Sequence, residues 1–290
     1  MFTGSIVATV TPMKDGELDE RSLRGLMRMH ADGGTSGIVP AGCTGEAATL
    51  TSEERLRMLA LCLEEVGDTI PVIPGTGSNS TTDTIHLTKT AEAAGAHAAL
   101  IITPYYNKPT PEGMYQHYRA VAQEVGLPII LYNVPSRTGV NMLPQTVARL
   151  SEIENIVAIK EASGSIDQVS EIVELCDITI LSGDDPLTLP MMSVGAEGVV
   201  SVVANVLPGL VSEMVEAHPA RPARAVELHH TLRPISKALF FETSPGPIKY
   251  AMAELGLIES AELRSPLVGV TEATKQRMAG ALDAIRAARG

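Results

Sequence analysis

Tryptophan is absent from this chain of 290 residues, and aromatic residues make up only 3% of it. A core must therefore be packed from Ala, Val, Ile, Leu and Met. Cysteine is scarce as well. Cys43, Cys62 and Cys176 are odd in number, far apart, and form no CxxC or Cys/His cluster. That excludes a disulfide framework and a structural zinc site, and it points to a reducing compartment. The seven histidines are scattered. None has HExxH spacing, so they read as structural or solvated, and no metal is expected. No GxGxxG loop follows the first apolar run, which weakens the case for an open doubly wound sheet. Positive charge is in deficit, with 22 Lys and Arg against 34 Asp and Glu and a formal net charge of −12. Nucleic acid and anionic membrane are excluded as general partners. An anionic ligand has to be captured by local groups. The segment Met1–Ser5 lacks a basic n-region, so no signal peptide is expected. No apolar run reaches transmembrane length. The expected location is the cytoplasm.

What is present is an alternation. Short apolar runs fall at 5–10, 37–41, 71–75, 98–103, 128–132, 156–160, 178–182 and 198–202. Helix-sized segments separate them, and one follows the last. Eight such units predict an α/β fold, a (β/α)8 TIM barrel, rather than an open doubly wound sheet. Helix starts are legible. Thr51 and Glu54 have capping-box spacing, and Thr110-Pro111-Glu112 supplies an N-cap, a proline at the first helical position and an acid in the first turn. Asp185-Pro186 reads as another N-cap. Leu56, Leu59, Leu63 and Val66 recur at helical intervals and predict one buried face. Gly67, Gly95 and Gly126 mark helix ends. After Asn205 the pattern is helical only, over 207–218, 220–236, 248–255 and 272–289. The expected organisation is a catalytic barrel over 1–224 and a helical extension over 225–290.

One barrel run ends in a lysine: Ile156-Val157-Ala158-Ile159-Lys160. An apolar run of this kind suits a strand buried on both faces. A lysine there is costly unless paired or neutral. Burial lowers its pKa, and a neutral amine can attack a carbonyl to form a Schiff base. Taken alone, Lys160 reads first as a solvated strand end paired with Glu161. The neighbouring strand ends decide otherwise. In such a barrel they form the site. They bring Gly42-Cys43-Thr44-Gly45-Glu46, Gly75-Thr76-Gly77-Ser78-Asn79, Pro104-Tyr105-Tyr106-Asn107, Tyr132-Asn133, Arg137 and Ser182-Gly183-Asp184-Asp185 to one rim. Three of the chain's six tyrosines lie there. The glycine-flanked Thr44 turn can hold a carboxylate on backbone N–H groups. Tyr132 can move protons, and Arg137 offers a fork for a carboxylate.

These motifs, with Leu131–Gly139 and Ile159-Lys160-Glu161-Ala162, resemble the dihydrodipicolinate synthases, within the N-acetylneuraminate lyase superfamily of class I aldolases. The resemblance runs from Met1 to near Val270. It implies that Lys160 forms a Schiff base with pyruvate and that Tyr132 donates and accepts protons. It implies that Thr44 holds the pyruvate carboxylate, with Gly183 and the main chain at Val200 lining the same pocket. Arg137 would receive the carboxylate of aspartate 4-semialdehyde. Tyr106 matches a tyrosine inserted across a dimer interface into the neighbour's site, and the family's dimer of dimers implies a homotetramer. No metal or nucleotide cofactor is implied.

Two departures stand out. The family's relay threonine is replaced by Cys43, a weaker hydrogen-bonding group, so a slower enzyme is expected. The residues matching the family's lysine-inhibition site are Asn79, Asp83, Tyr105, Ala47, Ser52 and Arg55. In strongly inhibited bacterial members the Asp83 position is Glu, and His occupies the Ser52 and Arg55 positions. The shorter Asp83 and cationic Arg55 are expected to disfavour a lysine ammonium. Two other readings stay open at this point: a pyruvate-dependent aldolase or lyase acting on a sugar acid or other 2-oxo acid, and a non-catalytic paralogue.

Overall fold

The computed structural model describes residues 2–289. Seven strands form one parallel sheet: β1 Gly4–Ala8, β2 Gly37–Val39, β3 Ala99–Ile102, β4 Ile129–Asn133, β5 Ile156–Glu161, β6 Thr179–Ser182 and β7 Gly198–Ser201. Their order is β2–β1–β7–β6–β5–β4–β3. The two edge strands, β2 and β3, are joined by residues 71–76. On one side Ile38 N donates to Pro71 O at 2.9 Å and Ile73 N to Ile38 O at 2.8 Å. On the other, Leu100 N donates to Pro74 O at 3.0 Å and Thr76 N to Leu100 O at 3.1 Å. The ring is thereby a TIM barrel. The third expected strand is corrected to an irregular stave with isolated bridges at Val72 and Gly75. Pro71 and Pro74 have no N–H to donate, so a regular ladder is interrupted there.

Side-chain parity sorts the strands into two packing layers. Ile6, Ala8, Ile130, Tyr132, Ala158, Leu181 and Val200 pack together inside the ring. Val7, Ile129, Leu131, Ile159, Ile180 and Val199 pack outward against the helices. Lys160 shares the parity of Ala158, so the strand aims it inward. Asn133 and Glu161 have the outward parity.

Two helices begin where the sequence says. Thr51 and Glu54 form a complete capping box on the helix Ser52–Val66, and Thr110 caps Pro111–Glu124 by accepting from Gly113 N. The face of the first of these helices is corrected. Met58, Leu59, Leu61, Cys62 and Val66 are buried, whereas Leu56 is exposed. Of the expected face, Leu59 and Val66 are buried and Leu63 is half-buried, so only its Leu56 end falls off the stripe that meets the barrel. Four helices follow the barrel strands: Pro208–Ala217, Pro222–Ala238, Gly246–Glu254 and Glu272–Arg289. The boundary expected at residue 224 falls inside the second of them.

Candidate active site

Parity and register build the site before any chemistry is considered. β4 and β5 pair with Tyr132 beside Lys160 and Asn133 beside Glu161. Tyr132 and Lys160 therefore face the barrel interior side by side, and Lys160 Nζ lies 4.1 Å from the centre of the Tyr132 ring. Lys160 is 6% exposed. On its other side, a Cβ on Gly183 would stand 3.1 Å from both Cγ and Cε of Lys160. Glycine at 183 leaves the space that the lysine stem occupies. A cavity of about 350 Å³ opens here, lined by Lys160, Tyr132, Cys43, Thr44, Arg137 and Gly183 among others.

Burial pushes the Lys160 ammonium down to about 8, with neighbouring Cys43 and Asp185 opposing the fall. Burial pushes the Tyr132 hydroxyl up; the Cys43 thiol adds to that rise and Arg137 opposes it. The pair thus holds an amine poised to lose its proton beside a phenol that retains its own.

Glu161 is not the partner of Lys160. Its carboxylate accepts from Ser163 N at 2.6 Å, Asn133 Nδ2 at 2.9 Å and Gln168 Nε2 at 3.1 Å. Asn133 Nδ2 also donates to Asn141 Oδ1 at 2.8 Å, and Asn141 Nδ2 donates to Gln168 Oε1 at 2.7 Å. This buried network pins the outward residues of β4 and β5 directly behind the inward pair. Asp185 is corrected too. It does not cap the helical turn that follows it. Its carboxylate accepts from Ser201 Oγ, from Val202 N at 2.9 Å and from Val203 N at 3.3 Å, and so fixes the chain leaving β7.

Arg137 sits on the short helix Pro135–Thr138, and its Nη2 donates to Ser244 O at 3.2 Å. With Cys43, Tyr132 and Ser244 it also lines a second cavity of about 340 Å³. Ala47, Arg55 and Tyr105 line that second space. Arg55 donates to Ala47 O, and Ser52 lines a smaller hollow with it. Asn79 and Asp83 line none of these spaces. Asn79 O accepts from Asn107 Nδ2 at 2.8 Å, and Asp83 N donates to Ser80 Oγ at 3.3 Å at a helix start.

Tyr106 is not brought to Lys160 within one chain. It is 89% exposed and holds a backbone φ of 73°. Val200 packs in the barrel's inner layer, and Val202 lines the cavity instead. Sequence reasoning missed Lys237 and Phe240 of the extension at the cavity wall. It also missed the outward network behind the site, although the parity of Asn133 and Glu161 was a usable signal. Among the described residues, no group of three or more His, Cys, Asp or Glu is arranged to hold a metal, and no helix is long and apolar enough to cross a membrane.

A lysine aimed into a barrel mouth, desolvated and flanked by a tyrosine, is the arrangement of a lyase of the Schiff-base-forming class I aldolase type. The dihydrodipicolinate synthetase family model matches residues 1–285, and the chain belongs to that family. A 4-hydroxy-tetrahydrodipicolinate synthase of Geotalea uraniireducens is 53% identical over 281 residues, covering 96% of this chain and 97% of the relative. The structure of the 4-hydroxy-tetrahydrodipicolinate synthase of Methylacidiphilum fumariolicum superposes with a TM-score of 0.97 at 43% identity, covering 99% of this chain and 97% of the other. The chloride-inhibited dihydrodipicolinate synthase of Acinetobacter baumannii, solved with pyruvate, gives 0.96 at 43% identity and 99% coverage of both chains.

Proposed function

We propose that this chain is a 4-hydroxy-tetrahydrodipicolinate synthase of lysine and diaminopimelate biosynthesis, condensing pyruvate with L-aspartate 4-semialdehyde on Lys160. The observation that carries this reading is the buried Lys160 Nζ, 4.1 Å from the Tyr132 ring, in a cavity that also holds Thr44 and Arg137. Neutral Lys160 attacks C2 of pyruvate. The carbinolamine loses water to give an imine, with Tyr132 relaying protons. Loss of a proton from C3 gives an enamine, which attacks the aldehyde carbon of the second substrate. The amine of that substrate then displaces Lys160 from C2 and closes the ring. One water leaves for each pair of substrates joined.

In this reading the Thr44 turn holds the pyruvate carboxylate and Arg137 the carboxylate of the semialdehyde. Gly183 and the main chain near Val200 shape the pocket. Cys43, like Tyr132, lines both cavities. An effector site at the second cavity would draw on its Ala47, Arg55 and Tyr105, on Ser52 of the hollow beside it, and on Asn79 and Asp83. The enzyme is a cytoplasmic homotetramer that uses no metal or nucleotide. The exposed Tyr106, held at positive φ, supports insertion into a second copy. The barrel to residue 224 does the chemistry, and residues 225–290 brace it.

The test is coupled turnover of pyruvate with L-aspartate 4-semialdehyde, read through reduction of the cyclic product. Turnover of both substrates is expected. Turnover of pyruvate only with a sugar-derived aldehyde would contradict the reading.

A further inference from the structure

Outside the Lys160 cavity, one ion pair is fully buried. Lys249 Nζ lies 2.7 Å from Glu46 Oε1, and their side chains are 0% and 1% exposed. Lys249 is on the helix Gly246–Glu254 of the extension, and Glu46 ends the turn that carries Cys43 and Thr44. The second carboxylate oxygen, Oε2, accepts from Arg264 N at 3.1 Å. The Arg264 guanidinium in turn donates to Thr49 O at 3.1 Å and to both Glu54 oxygens, at 2.6 and 2.5 Å.

The turn itself is tightly built. Glu46 N donates to Cys43 O at 3.1 Å, Ala47 N to Gly42 O at 3.2 Å, and Thr11 Oγ1 to Gly45 O at 2.6 Å. A Cβ on Gly45 would stand 3.0 Å from Ala41 N and 3.2 Å from Thr9 O, so the turn lies flat on the end of the barrel. Glu46 closes it at φ 56° and ψ 34°, a left-handed conformation that suits glycine better than glutamate. A side chain held at such a position has to be needed there. Burying an ion pair is a poor route to stability, but it admits only one arrangement of the groups it joins. Glu46 lines the second cavity, and neither Glu46 nor Lys249 lines the Lys160 cavity.

We propose that Lys249 and Glu46 are positioning residues that hold the Cys43–Thr44 turn in register with Lys160, so that the C-terminal helices set pyruvate affinity from outside the cavity. This rests on Lys160 forming the pyruvate imine. Breaking the pair by Lys249→Met leaves a buried carboxylate uncompensated. The double variant Glu46→Leu with Lys249→Met removes both charges and keeps the volume apolar.

Each protein is assayed well below its melting temperature for kcat, for KM of each substrate, and for the rate of pyruvate trapping by borohydride. The folded double variant is expected to raise the pyruvate KM and slow trapping roughly ten- to a hundredfold, the scale of an ångström-sized misplacement. The semialdehyde KM should change far less. Native trapping kinetics and pyruvate KM in the folded double variant would overturn the proposal. So would its failure to fold, because the pair would then be a folding element. If the unaltered protein traps no pyruvate, the functional reading fails first.

Discussion

Lys160 and Tyr132 occupy paired positions on adjacent strands and face the same cavity, with Nζ 4.1 Å from the ring centre. Burial holds the lysine at about 8. Roughly a tenth of it is then neutral at pH 7, against ~0.04% for an ordinary lysine. Imine formation requires the neutral amine, so its rate is expected to climb with pH and level off above about 8. The same shift has a stability signature. The folded value lies below the unfolded one, so between about 8 and 10.5 the unfolded chain binds more protons. The Lys160 contribution therefore makes the fold more stable as pH rises across that window. Stopped-flow pyruvate binding against pH, with Lys160→Met as the reference for stability, checks both. A rate independent of pH from 6 to 9 would contradict the first.

Cys43 lies between the two cavities and raises the Tyr132 pKa. A thiol donates and accepts more weakly than a hydroxyl. Cys43→Thr is expected to raise kcat by about two- to tenfold, the worth of one improved hydrogen bond. An unchanged or lower kcat would show that the thiol is no handicap.

Glu161 accepts three N–H groups behind the Lys160–Tyr132 pair. Glu161→Gln sets an amide NH2 against donors that then lack an acceptor. A loss of about 1–3 kcal/mol in stability is expected, with a fall in kcat as β4 and β5 lose their common anchor. Chemical denaturation and steady-state kinetics measure the two. Unaltered stability would mean the network re-forms around the amide.

Arg55 donates to Ala47 O inside the second cavity and competes there with any ammonium. Asp83 lines none of the cavities around it. Lysine is therefore expected to inhibit weakly or not at all in a steady-state titration. Strong inhibition at sub-millimolar lysine would contradict this.

Much of the barrel was legible because each strand was a short apolar run bounded by turn residues, and the capped helices announced their starts. The third stave was not, since Pro71 and Pro74 kept an apolar run while removing the donors a ladder requires. On the Ser52–Val66 helix the leucine spacing found Leu59 and Val66 of the buried face but included the exposed Leu56 and missed Met58, Leu61 and Cys62. At the site, Tyr132 and Lys160 were legible as polar residues at strand ends, and Thr44 and Arg137 as residues of the segments that follow strands. Asp185 read as a cap because local sequence does not reveal that β7, sixteen positions on, supplies its donors. The Glu46–Lys249 pair spans 203 positions and leaves no periodic trace.

The most direct test is mass mapping of the protein after treatment with pyruvate and borohydride. One reduced pyruvate adduct per chain is expected, on the peptide bearing Lys160, and none in Lys160→Met. An adduct on another lysine, or none in the unaltered protein, would contradict this.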